Sequence, residues 1–223
     1  MQAVARRVSQ SEWAYTKLRQ RIRDKLILPG EFLSENVIAR ELGMSRTPVR
    51  EAVQRLVQEG LFIVLPSRGF MVASLTVKDV EEIYAIRESL EGLSARLAAG
   101  RAAPEGVKRL KERLDEIASV VAARDFERYY RLDSEFHEEI AILAGSQRLI
   151  RLLENMRSAD VLRQLNPSML DRQTRLERSL EEHRVVVAAI VARDPDGAEN
   201  AMRSHAQSAV RDVVLGAFGM DGR

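Results

Sequence analysis

Cysteine is absent from all 223 residues, which excludes disulfides and thiolate-bound metals outright. Aromatic side chains make up only 5% of the chain, and histidine occurs three times, so any imidazole chemistry rests on very few positions. No apolar run approaches the roughly 18 residues of a membrane span. The first residues also lack the apolar stretch that directs secretion. A cytoplasmic protein with no membrane partner is expected. Low-complexity stretches and internal repeats are lacking too. What the chain does have is 45% hydrophobic and 30% charged residues, dominated by Leu, Ala, Val, Arg and Glu, the make-up of a soluble helical protein. Its length is sufficient for two domains, each with its own core.

The stretch Ser45–Leu56 organises the first of them. Ser45 can cap a helix, and Pro48 falls in the first turn, where a missing N–H costs nothing. Val49, Val53 and Leu56 recur at i, i+4, i+7 and form one apolar stripe. Arg46 and Arg50 share another face, close to the end with free amides, which suits phosphates and base edges. Upstream, Ser34 to Leu42 reads as a short helix with Val37, Ile38 and Leu42 on its apolar side, and Gly43 closes it. Helix, glycine turn, and second helix with exposed arginines make a helix-turn-helix. Downstream, Leu61–Leu65 and Phe70–Val72 read as two strands around a Pro66–Gly69 turn, which makes a wing with Arg68 at its tip. Before all this, Trp13, Leu18, Ile22 and Leu26 predict a helix over 12–27, and Arg19, Arg21, Arg23 and Lys25 give it a basic, solvated face. Residues 1–75 hold twelve basic and seven acidic residues, and the remainder 23 and 26. A basic first third joined to a mildly acidic remainder fits a nucleic-acid module fused to another unit.

The run from Tyr15 to Val72 resembles the DNA-binding domain of the GntR family of bacterial transcription regulators. The resemblance rests on Leu28-Pro29-Gly30, Leu33-Ser34-Glu35, Leu42 through Ala52, Glu59-Gly60-Leu61 and Arg68-Gly69. One departure is Asn36, where members often carry Arg. The resemblance implies a homodimer on a pseudo-palindromic double-stranded DNA operator. Arg46, Thr47 and Arg50 would contact the DNA, with Glu35, Arg68 and Gly69 in support.

Beyond Ser74 the pattern is helix after helix. Thr76 caps a helix to about residue 99 with Val80, Ile83, Ile86, Leu90, Leu93 and Leu97 inward, and Gly100 ends it. Further helices are expected over 104–123, 126–145, 146–165, 167–193 and 195–216. Short connections imply an antiparallel bundle of six helices, seven in a longer variant. The expected fold is therefore mostly α. It comprises a flexible arm (1–10), a winged helix-turn-helix (11–74), an all-helical effector-binding and dimerisation domain (75–217) and a flexible tail (218–223).

All three histidines lie in the bundle. His137 follows Asp133 by four residues on one helix face, while His183 and His205 lie on the fifth and sixth helices. Three imidazoles and a carboxylate from three neighbouring helices suit zinc, nickel or manganese. Taken singly, each histidine reads as an ordinary surface or core residue. The bundle resembles the FCD effector domain of the FadR branch of the GntR family. The residues concerned are Ile86-Arg87-Glu88-Ser89-Leu90-Glu91, Leu132 through Ala141, Glu182-His183 and Arg203-Ser204-His205. That resemblance makes Asp133, His137, His183 and His205 the metal ligands, with zinc first in order, and makes the effector a small organic acid. Arg87 matches a position that clamps the acid's carboxylate, or else pairs with Glu91 or Glu88 along its own helix. Ser134, Asn155, Arg157 and Arg163 are further pocket candidates.

Together these readings describe a ligand-responsive transcription regulator, expected to be a repressor. The alternatives are a bundle metalloenzyme with an accessory DNA-binding domain and a regulator with a metal-free pocket. Di-iron carboxylate bundles need Glu three residues before His, but Ser134, Leu180 and Met202 stand there. His137-Glu138-Glu139-Ile140-Ala141 also fails the zinc-protease pattern. An enzyme is not expected.

Overall fold

The structure, a computed structural model, describes residues 9–24, 26–66, 69–74, 76–154, 156 and 172–218. The chain divides into two compact units between residues 75 and 76.

In the first unit, Ser9 accepts the Glu12 N–H at 3.1 Å and starts α1 (Gln10–Arg23). This helix begins earlier and ends four residues sooner than its apolar spacing predicts. Trp13 (40% exposed) and Leu26 (68%) lie outside the core. Ala14 and Tyr15 take their place beside Leu18 and Ile22, because only they fall on the 3.6-residue stripe those two define. Next come β1 (Phe32–Leu33), α2 (Glu35–Leu42), α3 (Arg46–Gln58), β2 (Phe62–Leu65) and β3 (Gly69–Val72). Ser34 caps α2, and Gly43 ends it in the left-handed conformation (φ 65°). Its buried residues are Ile38 and Ala39, while Val37 is turned outward. Val49, Val53 and Leu56 of α3 are buried as the stripe requires.

The expected two-stranded wing has a third strand. The antiparallel order is β1-β3-β2, with Leu33 opposite Phe70 and Phe62 opposite Val72. Gly69 makes the β1–β3 pairing possible. Its φ is 95°, and a Cβ there would stand 2.3 Å from the Leu33 carbonyl oxygen, so any side chain would force the two backbones apart.

The second unit contains, among the described residues, α4 (Val77–Arg101), α5 (Pro104–Ala122), α6 (Phe126–Leu143), α7 (Gln147–Glu154), α8 (Arg172–Val191) and α9 (Pro195–Phe218). The expected end of the fourth helix at 165 and start of the fifth at 167 lie outside the described residues, as do positions 1–8 of the arm. Thr76 and Asp79 form a reciprocal capping box on α4, Pro104 occupies the first turn of α5, and Asp125 caps α6. The core gathers Leu110, Ile117, Leu132, Phe136, Ile140, Leu176, Val186 and Ile190 from α5, α6 and α8.

Helix α4 differs from expectation in which face it buries. Of the expected stripe, Val80 is buried, but Ile86 (48% exposed) and Leu93 (40%) face outward, with Leu90 and Leu97 half-buried beside them. The inward face is Tyr84, Arg87, Glu91, Ser94, Ala95, Ala98 and Ala99. Small residues there let α4 pack closely on its neighbours, and the buried Arg87–Glu91 pair neutralises itself.

Candidate functional site

The exposed end of α3 is built for anions. Ser45 sits at the N-cap in extended conformation, yet its side chain makes no capping bond, so the amides of the first turn are not capped by it. Arg46, Thr47 and Arg50 are all exposed there. Glu35, at the start of α2, receives Arg50 Nε at 3.2 Å and Nη2 at 3.1 Å, and lies 3.5 Å from Arg46 Nη2. Hydrogen bonding from Arg50 holds the Glu35 carboxyl below its ordinary range, and that bond in turn raises the Arg50 guanidinium. One carboxylate thus gathers two cations and leaves a net positive end. These residues line a groove of about 880 Å³ with Asn36, Gln54, Val64 and Gly69. Gln54 escaped the sequence reading, although its spacing of four from Arg50 continues the Arg46–Arg50 row. Arg68 lies outside the described residues.

In the second unit, α6, α8 and α9 bring Asp133, His137, His183 and His205 together, with one ligand atom from each within 4.8 Å of all the others. His183 is fully buried, its Nε2 3.6 Å from Asp133 Oδ1 and its ring 4.3 Å from that of Phe136. The His137 and His205 rings stack at 5.2 Å. The Tyr129 hydroxyl lies 3.2 Å from Asp133 Oδ1 and 2.7 Å from Ser179 Oγ. The tyrosine has one proton to offer these two acceptors.

The donor set fits a divalent ion. Two ligands on one ion stand at most about 4.2 Å apart, twice the usual bond length. The four ligand atoms, all within 4.8 Å of one another, lie close to that limit. No cysteine competes, and mixed imidazole and carboxylate suit zinc, nickel or manganese.

Around the four, Glu91 and Glu182 emerge as residues the sequence reading did not single out for a role. Glu91 lies 3.3 Å from His137 Nδ1, and Glu182 2.8 Å from His205 Nδ1. Burial pushes the Glu91 carboxyl up, but the Arg87 cation and His137 outweigh it and hold the group far below the carboxylate range. Burial lowers His137, but Glu91 and Asp133 outweigh it and leave the imidazole raised. Glu182 is lowered because hydrogen bonds from His205 and Ser208 exceed its own burial penalty. Arg87 pairs with Glu91 at 2.8–2.9 Å, the intrahelical option among its two sequence readings, and it lines a cavity at the same time. That cavity measures about 40 Å³ and is bounded also by Asp133, Ser134, His137, Glu138, Ile150, Leu153 and Met156. Asn155, Arg157 and Arg163 lie outside the described residues.

Comparison with known proteins follows the same two-part division. Residues 10–72 match the profile of the bacterial regulatory proteins of the gntR family, and residues 82–208 match the FCD domain. An uncharacterized HTH-type transcriptional regulator, YdhC of Bacillus subtilis (strain 168), is 31% identical over 86% of this chain and 85% of its own. The HTH-type transcriptional repressor RspR of Escherichia coli (strain K12) is 30% identical over 89% and 86%. Among solved structures, E. coli McbR/YncC superposes with a TM-score of 0.80 at 24% identity, over 93% of this chain and 98% of that one, and so shares the fold. The chain belongs to the GntR family, with an FCD domain behind its winged helix, and is a DNA-binding transcriptional regulator rather than an enzyme.

Proposed function

We propose that this regulator represses transcription as a homodimer and that a small carboxylate metabolite, bound at a metal in the FCD domain, controls its grip on DNA. The observation that carries the reading is the shared wall: Arg87, Asp133 and His137 border one cavity. Asp133, His137, His183 and His205 would hold the ion, which supplies an open position for a carboxylate oxygen, and Arg87 would receive the other oxygen. The cavity has room for about three water-sized groups, enough for a carboxylate head. On the DNA side, Arg46, Thr47 and Arg50 read the major groove from the end of α3, with Gln54 beside them and Glu35 holding the arginines in place. The relative RspR, a transcriptional repressor, supports the direction of control.

Homodimer formation draws support from the outward row Ile86, Leu90, Leu93 and Leu97. Its spacing of four and three residues along α4 is that of a helix–helix seam. Leu93→Glu should convert the dimer to monomer in sedimentation experiments and leave the helical circular dichroism intact. A variant that stays dimeric would move the interface elsewhere.

The direct test of the regulatory reading is operator affinity of zinc-loaded protein, measured by fluorescence anisotropy across a panel of small mono- and dicarboxylates. One acid should shift affinity at least about fivefold, the lower end of ordinary coupling. Its effect should vanish when chelator removes the zinc. If no acid in the panel acts, or if one acts equally in chelator, the metal-anchored mechanism fails.

A further inference from the structure

The His/Asp cluster lies between two arrangements of the same kind. On α4, Arg87 and Glu91 stand four residues apart, and Glu91 reaches His137 on α6. On α8, Arg178 passes 3.8 Å from Glu182 while its hydrogen bond goes to Asp212, and Glu182 reaches His205 on α9. In each case the carboxylate meets Nδ1, the ring nitrogen away from Nε2. The His205 contact, at 2.8 Å, is a hydrogen bond. The His137 contact, at 3.3 Å, is an ion pair without hydrogen-bond alignment. A neutral imidazole has one N–H and one lone pair, so a carboxylate that takes the N–H at Nδ1 leaves the lone pair on Nε2.

We propose that Glu182, which also accepts from Ser208, is a positioning residue that fixes His205 as the Nδ1–H tautomer with Nε2 available to a divalent cation. This rests on the metal reading above. It adds a carboxylate, itself no ligand, that determines how one imidazole is presented.

Glu182 is the residue to test, because its side chain retains 21% exposure, whereas Glu91 is buried against Arg87. The chain has three histidines, so a long-range ¹H–¹⁵N spectrum of metal-free protein resolves each ring. His205 should appear as the Nδ1–H tautomer in wild type and revert toward Nε2–H in Glu182→Ala. Zinc affinity, measured by competition with a chelating dye, should fall about 10- to 100-fold in Glu182→Ala. Glu182→Gln, whose amide oxygen still accepts the Nδ1–H, should recover most of that loss, which a purely structural role would not predict. An Nε2–H tautomer in wild type, or zinc uptake unchanged in Glu182→Ala, overturns the positioning role alone. No zinc uptake by wild type overturns the metal reading and this proposal with it, so the two failures are told apart.

Discussion

Replacing His183 by alanine is expected to strip the protein of its divalent ion. His183 is the most deeply buried member of the cluster, with the His205 ring 4.6 Å away, the His137 ring 5.5 Å away and Asp133 Oδ1 3.6 Å from Nε2. If the roughly 10–16 kcal/mol of a four-ligand zinc site is shared evenly, one imidazole contributes about 3 kcal/mol, or a hundredfold or more in affinity. Elemental analysis of untagged protein purified without chelator should find near-stoichiometric zinc, nickel or manganese in wild type and a trace in the variant. Thermal melting gives a second readout. Added zinc should raise the wild-type Tm, since an ion bound only by the folded state stabilises it by mass action, and should leave the variant unmoved. The variant's own lower baseline, from the space left against Phe136, is subtracted by comparing both proteins in chelator. Wild type that carries no metal, even after dialysis against divalent ions, would leave a regulator whose histidines line a metal-free pocket.

How far the sequence reveals this architecture depends on whether a residue's neighbours lie along the chain. The recognition helix was legible because its signals are local: Ser45 and Pro48 at the start, a stripe at Val49, Val53 and Leu56, and arginines on another face. The four cluster residues were nominated by residue type and by resemblance, since spacing alone ties only Asp133 to His137. The face of α4 was misread for a physical reason. Hydrophobic periodicity reports which side avoids water and does not say whether the cover is the chain's own core or another surface. Ile86, Leu90, Leu93 and Leu97 look like core in sequence, while the buried side carries Arg87, Glu91 and alanines. Strand β1 escaped notice because two residues cannot display an alternation. Glu91 and Glu182 were invisible as partners because an Arg–Glu pair at i, i+4 reads as a solvated surface pair, and only packing shows a histidine on the far side of each.

Arg50→Ala is expected to weaken operator binding about ten- to a hundredfold and to relax base preference at one position of each half-site. The variant should fold normally, because Arg50 is exposed and its removal opens no core space. Two effects contribute. The guanidinium fork that can grip a guanine edge is lost. Glu35 also loses its main partner, so its carboxylate, left with Arg46 at 3.5 Å, faces the DNA backbone less well compensated. Removing Glu35 as well separates the two. If repulsion matters, Arg50→Ala/Glu35→Ala should bind the operator more tightly than Arg50→Ala alone, although Glu35→Ala by itself weakens binding by freeing the arginines. Salt dependence then assigns the contact. A base reader leaves the slope of log affinity against log salt unchanged, whereas a phosphate contact lowers it by about one and costs every sequence equally. Wild-type affinity in the single variant would mean that α3 does not enter the groove by this end. The first turn that Ser45 leaves uncapped, the Arg46–Arg50 row and the groove beside the wing would then need another explanation.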